Sequence, residues 1–202
     1  MKKLLLIDLD GTIREPESGE KFIQHPLDQR IISGADKGVA HAHKEGWVIV
    51  GISNQAGVQA GYKNLEDCIA EQAYTLELFP ELLCIYFCPD FDGCHCWLVG
   101  RGHDAKPIHI TEWAAEFIGK FRKPQPGMLE AAMKNHGSVP SGDCWYIGDR
   151  LEDEVSAIRA KVNFMPADTW VNRFRPGIYM LNATPKQIEF LEGIELKEGD
   201  TQ

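Results

Sequence analysis

Asp8 and Asp10 close a short apolar run, Leu4 to Ile7, in the opening stretch MKKLLLIDLDGTI. Comparable polar residues follow two later apolar runs: Ser53 and Asn54 after WVIVGI, and Asp149 and Arg150 after CWYIG. Arg122 and Lys123 stand just before Pro124. In extended chain, alternation sends Asp8 and Asp10 to the same side, with Leu9 opposite. Carboxylates this close repel, and a third on a neighbouring strand end adds to the repulsion. One of them must take up a proton unless a cation neutralises the group. Hard carboxylate oxygens suit Mg²⁺, which prefers to share its coordination with substrate phosphate. Asp-Gly after an apolar run is also a common turn signal, so DLDGT alone leaves turn and site both open.

The elements that must carry these residues alternate along the chain. Leu4–Leu9, Trp47–Ser53, Leu82–Cys88, Cys144–Ile147 and Val162–Met165 read as buried strands, being apolar without strict alternation. Helices are expected over Ser33–Glu45, with Ser33 as cap, and over Leu65–Leu78, ended by Pro80. Further helices are expected near Thr111–Lys120, over Gly127–Asn135 and over Glu152–Ala160, with a short one after Pro185. Strands alternating with helices predict a doubly wound, Rossmann-like α/β fold: a parallel sheet with helices on both faces. Such sheets place ligands beyond the carboxyl ends of their strands, where these polar residues fall. The segment between Asp10 and the first helix is too short for a large cap, so the site is expected to be open.

Composition bounds the partners. The chain has 202 residues, 44% hydrophobic and 25% charged, which suits one domain over 1–202 with a frayed tail at 195–202. A net charge of −9 argues against a broad nucleic-acid footprint. The N-terminal apolar run is too short for a secretory signal, and no stretch approaches a membrane span. The expectation is therefore a cytoplasmic protein without a membrane partner, either a monomer or a small homo-oligomer.

Four segments, DLDGT, ISNQAG, FRKPQPGM and YIGDRLEDEVSA, follow in order at expected strand ends or helix starts. They resemble motifs I to IV of the haloacid dehalogenase phosphohydrolase superfamily. The details SNQ-G, RKP-PGM and GDR--D are similar to the branch holding histidinol-phosphatase, heptose bisphosphate phosphatase and polynucleotide 3′-phosphatases. The resemblance implies Asp8 as nucleophile, forming an aspartyl-phosphate, and Asp10 as general acid and then base. It implies Mg²⁺ held by Asp8, the backbone carbonyl of Asp10, and Asp149. Ser53 and Lys123 would grip the phosphoryl oxygens, with Asn54, Arg122 and Arg150 as further substrate contacts. Asp153 would ligate through a water or orient Lys123. Plainer readings stand beside these: Ser53 as a cap, Arg122 and Lys123 as a solvated pair, Asp153 as a first-turn helix acid.

Relatives in that branch often carry a structural zinc loop, Cys-x-His followed by Cys-x-Cys running straight into Arg-Lys-Pro. Here the stretch reads CPDFDGCHCW. Cys88, Cys94 and Cys96 match three ligands, but Asp90 replaces the histidine, and 25 residues (Trp97–Phe121) separate Cys96 from Arg122. Asp90 could complete a zinc site, with His95 less suited and His103 or His109 as alternatives from the insertion. The other reading is a loop of reduced thiols without metal. The insertion also offers Arg101, His103 and Lys106 as candidate substrate contacts. The expected activity is a Mg²⁺-dependent phosphomonoesterase acting on a small phosphorylated metabolite. A polynucleotide 3′-phosphatase is the alternative, with a noncatalytic zinc-stabilised binding module behind it.

Overall fold

Among the described residues the chain forms nine strands: β1 (Lys3–Asp8), β2 (Arg14–Glu15), β3 (Arg30–Ile31), β4 (Trp47–Asn54), β5 (Leu82–Cys88), β6 (Trp97–Gly100), β7 (Ile108–His109), β8 (Cys144–Gly148) and β9 (Asn163–Pro166). Six α-helices accompany them among the same residues: α1 (Ala35–Lys44), α2 (Leu65–Leu78), α3 (Gly127–Asn135), α4 (Leu151–Ala160), α5 (Ala167–Phe174) and α6 (Pro185–Glu192). This computed structural model describes residues 3–102, 106–137, 143–177 and 182–193, so His103 and the tail at 195–202 lie outside the described residues.

Seven strands make one sheet in the order β7-β6-β5-β4-β1-β8-β9. The five from β5 to β9 in that order run parallel, as their register shows. Along β1, Leu5 and Ile7 pack with α1, α2, α5 and α6, whereas Leu4 and Leu6 pack with α3 and α4. Both faces of the sheet are covered, and that is why the strands read as continuous apolar runs. The result is a Rossmann-like α/β fold with β1 at its centre, and the residues following β1, β4 and β8 meet beyond its carboxyl edge.

Some helix starts follow local chemistry. The Asn64 side chain accepts the Asp67 N–H at 2.7 Å and opens α2. Thr184 accepts the Gln187 N–H at 3.3 Å, with Pro185 in the first turn of α6. Ser33 does not cap α1: the helix starts at Ala35, behind Gly34 in a left-handed conformation (φ 92°). A Cβ on Gly34 would stand 2.6 Å from the Val171 carbonyl, so close packing on α5 sets that start.

The insertion departs most from expectation. Instead of a helix over Thr111–Lys120 there are two short 3₁₀ turns, Ile110–Glu112 and Ala115–Phe117, broken by Ala114 and by extended Ile118. Before them, β6 pairs antiparallel with β5 and β7 antiparallel with β6, extending the sheet at its edge. Ile110, Ala114 and Phe121 then fold under the second face and are fully buried. Helix α5, which has no counterpart among the expected elements, is anchored by buried Trp170. Among the described residues, no helix is long and apolar enough to cross a membrane.

Candidate active site

The turn after β1 is tight because the N–H groups of Thr12, Ile13 and Arg14 all point at the Leu9 carbonyl, at 3.0–3.2 Å. Gly11 makes the turn with φ 87°, and a Cβ there would lie 2.5 Å from Asp149 Oδ2. Glycine thus permits both the turn and the approach of the acid from β8.

Asp8 is buried within this turn. Thr12 Oγ1 donates to its Oδ2 at 3.1 Å, and Lys123 Nζ donates to its Oδ1 at 2.5 Å. The same ammonium lies 2.7 Å from Asp153 Oδ1 and 3.0 Å from the Tyr146 hydroxyl. The hydroxyl donates to Asp153 at 2.8 Å, and Asp153 Oδ2 accepts the Arg150 N–H at 3.0 Å. Asp153 is therefore both the cap of α4 and a direct partner of Lys123, so the two readings of it from sequence are compatible. Asn54 fixes the Lys123 backbone from both sides, donating to its carbonyl at 3.1 Å and accepting its N–H at 3.0 Å.

Charge within this group is unbalanced. Asp8, Asp149 and Asp153 each bring a carboxylate oxygen within 4.8 Å of the others, and Lys123 is the ammonium among them. Burial lifts the Asp8 carboxyl to about 7; Lys123 opposes the rise and Asp153 adds to it. Asp149 is raised as well, by burial and by Asp153, against the pull of Arg150. Burial would push the Lys123 ammonium down, but Asp8 and Asp153 outweigh it and hold its pKa above the usual lysine range. A hard divalent cation held by oxygen ligands fits this surplus of negative charge.

Asp10 has different neighbours. Its Oδ1 accepts from Arg14 Nε at 2.9 Å, and its Oδ2 from Gln55 Nε2 at 2.7 Å and Ser53 Oγ at 3.4 Å. Burial acts to raise its pKa, but Arg14 outweighs burial and holds the carboxyl below the usual range. Its side chain keeps 37% of its exposure, so it borders the opening of the site.

Ser53, Lys123, Asp8, Asp10, Asp149 and Asp153 are thus brought to one place, and Asn54 supports them from behind. Arg122 stacks its guanidinium over the Phe91 ring at 5.3 Å, and its buried Nη1 has no hydrogen-bond partner among the described residues. Arg150 is more than half exposed, 3.8 Å from Asp149 and from Glu152. Of the insertion residues, Arg101 turns inward to the carbonyls of Leu76, Phe79 and Leu82 at 2.5–2.7 Å, a structural contact.

The zinc expectation gains no support from the geometry. Among the described residues, Asp8, Asp149 and Asp153 form the one cluster whose potential metal-ligand atoms all lie within 4.8 Å of one another; Cys88, Cys94, Cys96 and Asp90 do not meet that spacing, although Cys88 Sγ lies 3.8 Å from Asp90 Oδ1. Asp90 is engaged otherwise: its two oxygens accept the N–H groups of Cys94 at 3.0 Å and His95 at 2.8 Å. In the absence of a metal, burial pushes the Cys88 thiol up to about 12 and Cys96 well above its usual value. His109, the alternative ligand, pairs with His95 at 3.1 Å and stacks on Trp97.

Several site residues were not singled out from the sequence. Thr12 and Gln55 lie inside DLDGT and SNQ, and Tyr146 precedes the GD of the fourth segment, so motif position could have flagged them. Arg14 and Glu71 carry no such mark.

Residues 3–173 match the family described as Polynucleotide kinase 3 phosphatase. The chain is similar to the D-glycero-D-manno-heptose-1,7-bisphosphate 7-phosphatase of Chlorobaculum tepidum, at 32% identity over 167 residues, covering 78% of this chain and 74% of the relative. It is also similar to the histidine biosynthesis bifunctional protein HisB of Legionella pneumophila, at 29% identity, covering 84% of this chain and 43% of that longer relative. In fold it resembles the crystal structure of D,D-heptose 1.7-bisphosphate phosphatase from B. bronchiseptica complexed with magnesium and phosphate. The TM-score is 0.56 at 21% identity, over 82% of this chain and 79% of that one. The chain belongs to the polynucleotide kinase 3 phosphatase family and is a phosphatase of the haloacid dehalogenase superfamily.

Proposed function

We propose that this protein is a Mg²⁺-dependent phosphomonoesterase of small phosphorylated metabolites, of the sugar phosphate or histidinol phosphate type, working through an aspartyl-phosphate on Asp8. The observation that carries the reading is the Asp8 carboxylate itself. It is buried at a strand end, fixed at both oxygens by Thr12 and Lys123, and set beside two further carboxylates. A carboxylate so held is oriented for attack on phosphorus before substrate arrives.

Asp8, the Asp10 carbonyl and Asp149 would hold Mg²⁺, which when bound supplies positive charge between anionic nucleophile and anionic substrate. Lys123 and Ser53 hold the transferring oxygens in place, with Asn54 fixing the Lys123 backbone. Asp8 attacks phosphorus as the ester oxygen leaves, and that oxygen takes a proton from Asp10, which Arg14 holds ionised in the free site and which gains the proton as the anionic substrate binds. Water then attacks the aspartyl-phosphate and gives a proton back to Asp10, restoring both carboxyls. The whole chain is read as one phosphatase domain, with Arg122 and Arg150 facing the leaving group.

The substrate class rests on the net charge of −9, on the heptose bisphosphate named for the phosphatase relatives, and on the resemblance of the motifs to histidinol-phosphatase. Phosphate release measured with heptose 1,7-bisphosphate, histidinol phosphate and a 3′-phosphorylated oligonucleotide tests it. Turnover of one of the small esters is expected to dominate. A clear preference for the oligonucleotide would overturn the substrate class.

A further inference from the structure

Asp10 is gripped by two arms that meet at one residue of α2. The first arm is Arg14, whose side chain is fully buried: Nε donates to Asp10 Oδ1 at 2.9 Å and Nη2 to Glu71 Oε1 at 2.8 Å. The second arm runs through Gln55, whose amide donates to Asp10 Oδ2 at 2.7 Å while its carbonyl accepts from Lys63 Nζ at 3.2 Å. Lys63 is in turn paired with the other oxygen of Glu71. Two cations and two carboxylates close a neutral ring, so none of the four is left as an uncompensated buried charge.

The other terminal nitrogen of Arg14 is used as well. Its Nη1 donates to Gln29 Oε1 at 3.0 Å and to the Thr75 hydroxyl, which sits one turn beyond Glu71 on the same helix. The planar guanidinium is therefore fixed in direction as well as in place. This accounts for the polar residues on the buried side of α2, where Cys68, Glu71, Gln72 and Thr75 stand in place of an apolar stripe.

We propose that Arg14 and Glu71 are positioning residues for Asp10, aiming its carboxyl at the oxygen of the departing alcohol. The inference rests on the reading of Asp10 as the group that protonates that oxygen. In that step the Asp8–phosphorus bond forms, the phosphorus–ester bond breaks, and the ester oxygen takes from Asp10 a proton that this carboxyl, ionised in the resting ring, picks up from solvent when the anionic substrate binds beside it. An arm that only tied the β2–β3 segment to α2 would have no reason to reach Asp10 from both sides.

Substrates whose leaving groups differ in their need for a proton separate positioning from general structural support. An alkyl phosphomonoester needs its alcohol protonated as it departs, whereas p-nitrophenyl phosphate releases a stable phenolate. The measurement is kcat/KM on both esters with saturating Mg²⁺, for wild type, Arg14→Lys, Glu71→Gln and Asp10→Asn. Because kcat/KM ends at the first irreversible step, later loss of the aspartyl-phosphate does not obscure it. Arg14→Lys and Glu71→Gln are expected to lose roughly 10–10²-fold on the alkyl ester, the scale of a misplaced catalytic group, and under about threefold on the aryl ester. Equal losses on the two esters, or none on either, would overturn the inference. Should Arg14→Lys fail to fold by circular dichroism, Glu71→Gln, which keeps the side-chain shape, decides by the same ratio. Asp10→Asn separates the two levels. If it shows the leaving-group dependence and the other variants do not, only the positioning role fails. If Asp10→Asn loses both esters equally, the acid role of Asp10 fails.

Discussion

Two stretches of this chain are rich in metal-ligating residue types: the end of β1 with its neighbours, and the loop after β5. At the first, three carboxylates converge around one ammonium, and burial lifts Asp8 to about 7. At the second, the thiols of Cys88 and Cys96 are buried, which raises their pKa values, and Asp90 accepts two backbone N–H groups. The difference is unbalanced charge. Ligand types close in sequence do not make a cation site; side chains whose charges lack partners do, because burying them together costs free energy that a cation recovers.

Breaking the first region should have the largest effect. Asp8→Asn removes the nucleophile while keeping its shape, and turnover should fall by at least about 10⁴-fold with an unchanged circular dichroism spectrum. Asp10→Asn should slow turnover of alkyl esters by roughly 10²–10⁴-fold, the usual weight of general acid–base catalysis. Steady-state kinetics checks both. Retention of wild-type rates in either variant would dissolve the contrast between the two stretches.

The cation itself sharpens the comparison. With the Asp8 carboxyl at about 7, the metal-free protein carries a proton there below that pH and loses it above. A cation must displace that proton to bind, so Mg²⁺ affinity should weaken as pH falls below about 7, by roughly tenfold per pH unit for one proton. Mg²⁺ titrations at about pH 8 and about pH 6 test this, and a half-saturating concentration independent of pH would contradict it. The smallest effect belongs to the second stretch. Cys94→Ser should stay within about twofold of wild type, and enzyme dialysed against EDTA should recover fully with Mg²⁺ alone. A need for added zinc would break the comparison from the other side.

Legibility in the sequence divides along similar lines. The strands of the central sheet were readable because burial on both faces leaves long apolar runs; Asp8 and Asp149 stood out because they follow such runs, and Lys123 because it falls in an ordered motif before Pro124. The edge strands β6 and β7 were not, since short strands at a sheet edge carry little pattern of their own. The helix expected over Thr111–Lys120 failed because Ile110, Ala114 and Phe121 show a near-helical apolar spacing that tertiary packing uses for two 3₁₀ turns instead. Arg14 and Glu71 were invisible for another reason. Their pairing spans 57 positions, and a buried arginine looks like a surface one until its partners are in place. The cysteine loop was only partly legible because residue identity is local, whereas the partners of Asp90 depend on which N–H groups the fold turns toward it.

The central claim is that Asp8 carries the phosphoryl group during turnover. Wild-type protein mixed with saturating substrate and Mg²⁺, quenched in acid within the first turnovers and digested, can be read by mass spectrometry. One phosphoryl group on the peptide containing Asp8, absent from Asp8→Asn and from protein without Mg²⁺, is the predicted result. An active enzyme whose quenched protein carries phosphoryl on another residue, or an Asp8→Asn variant that turns over at the wild-type rate, would contradict the account.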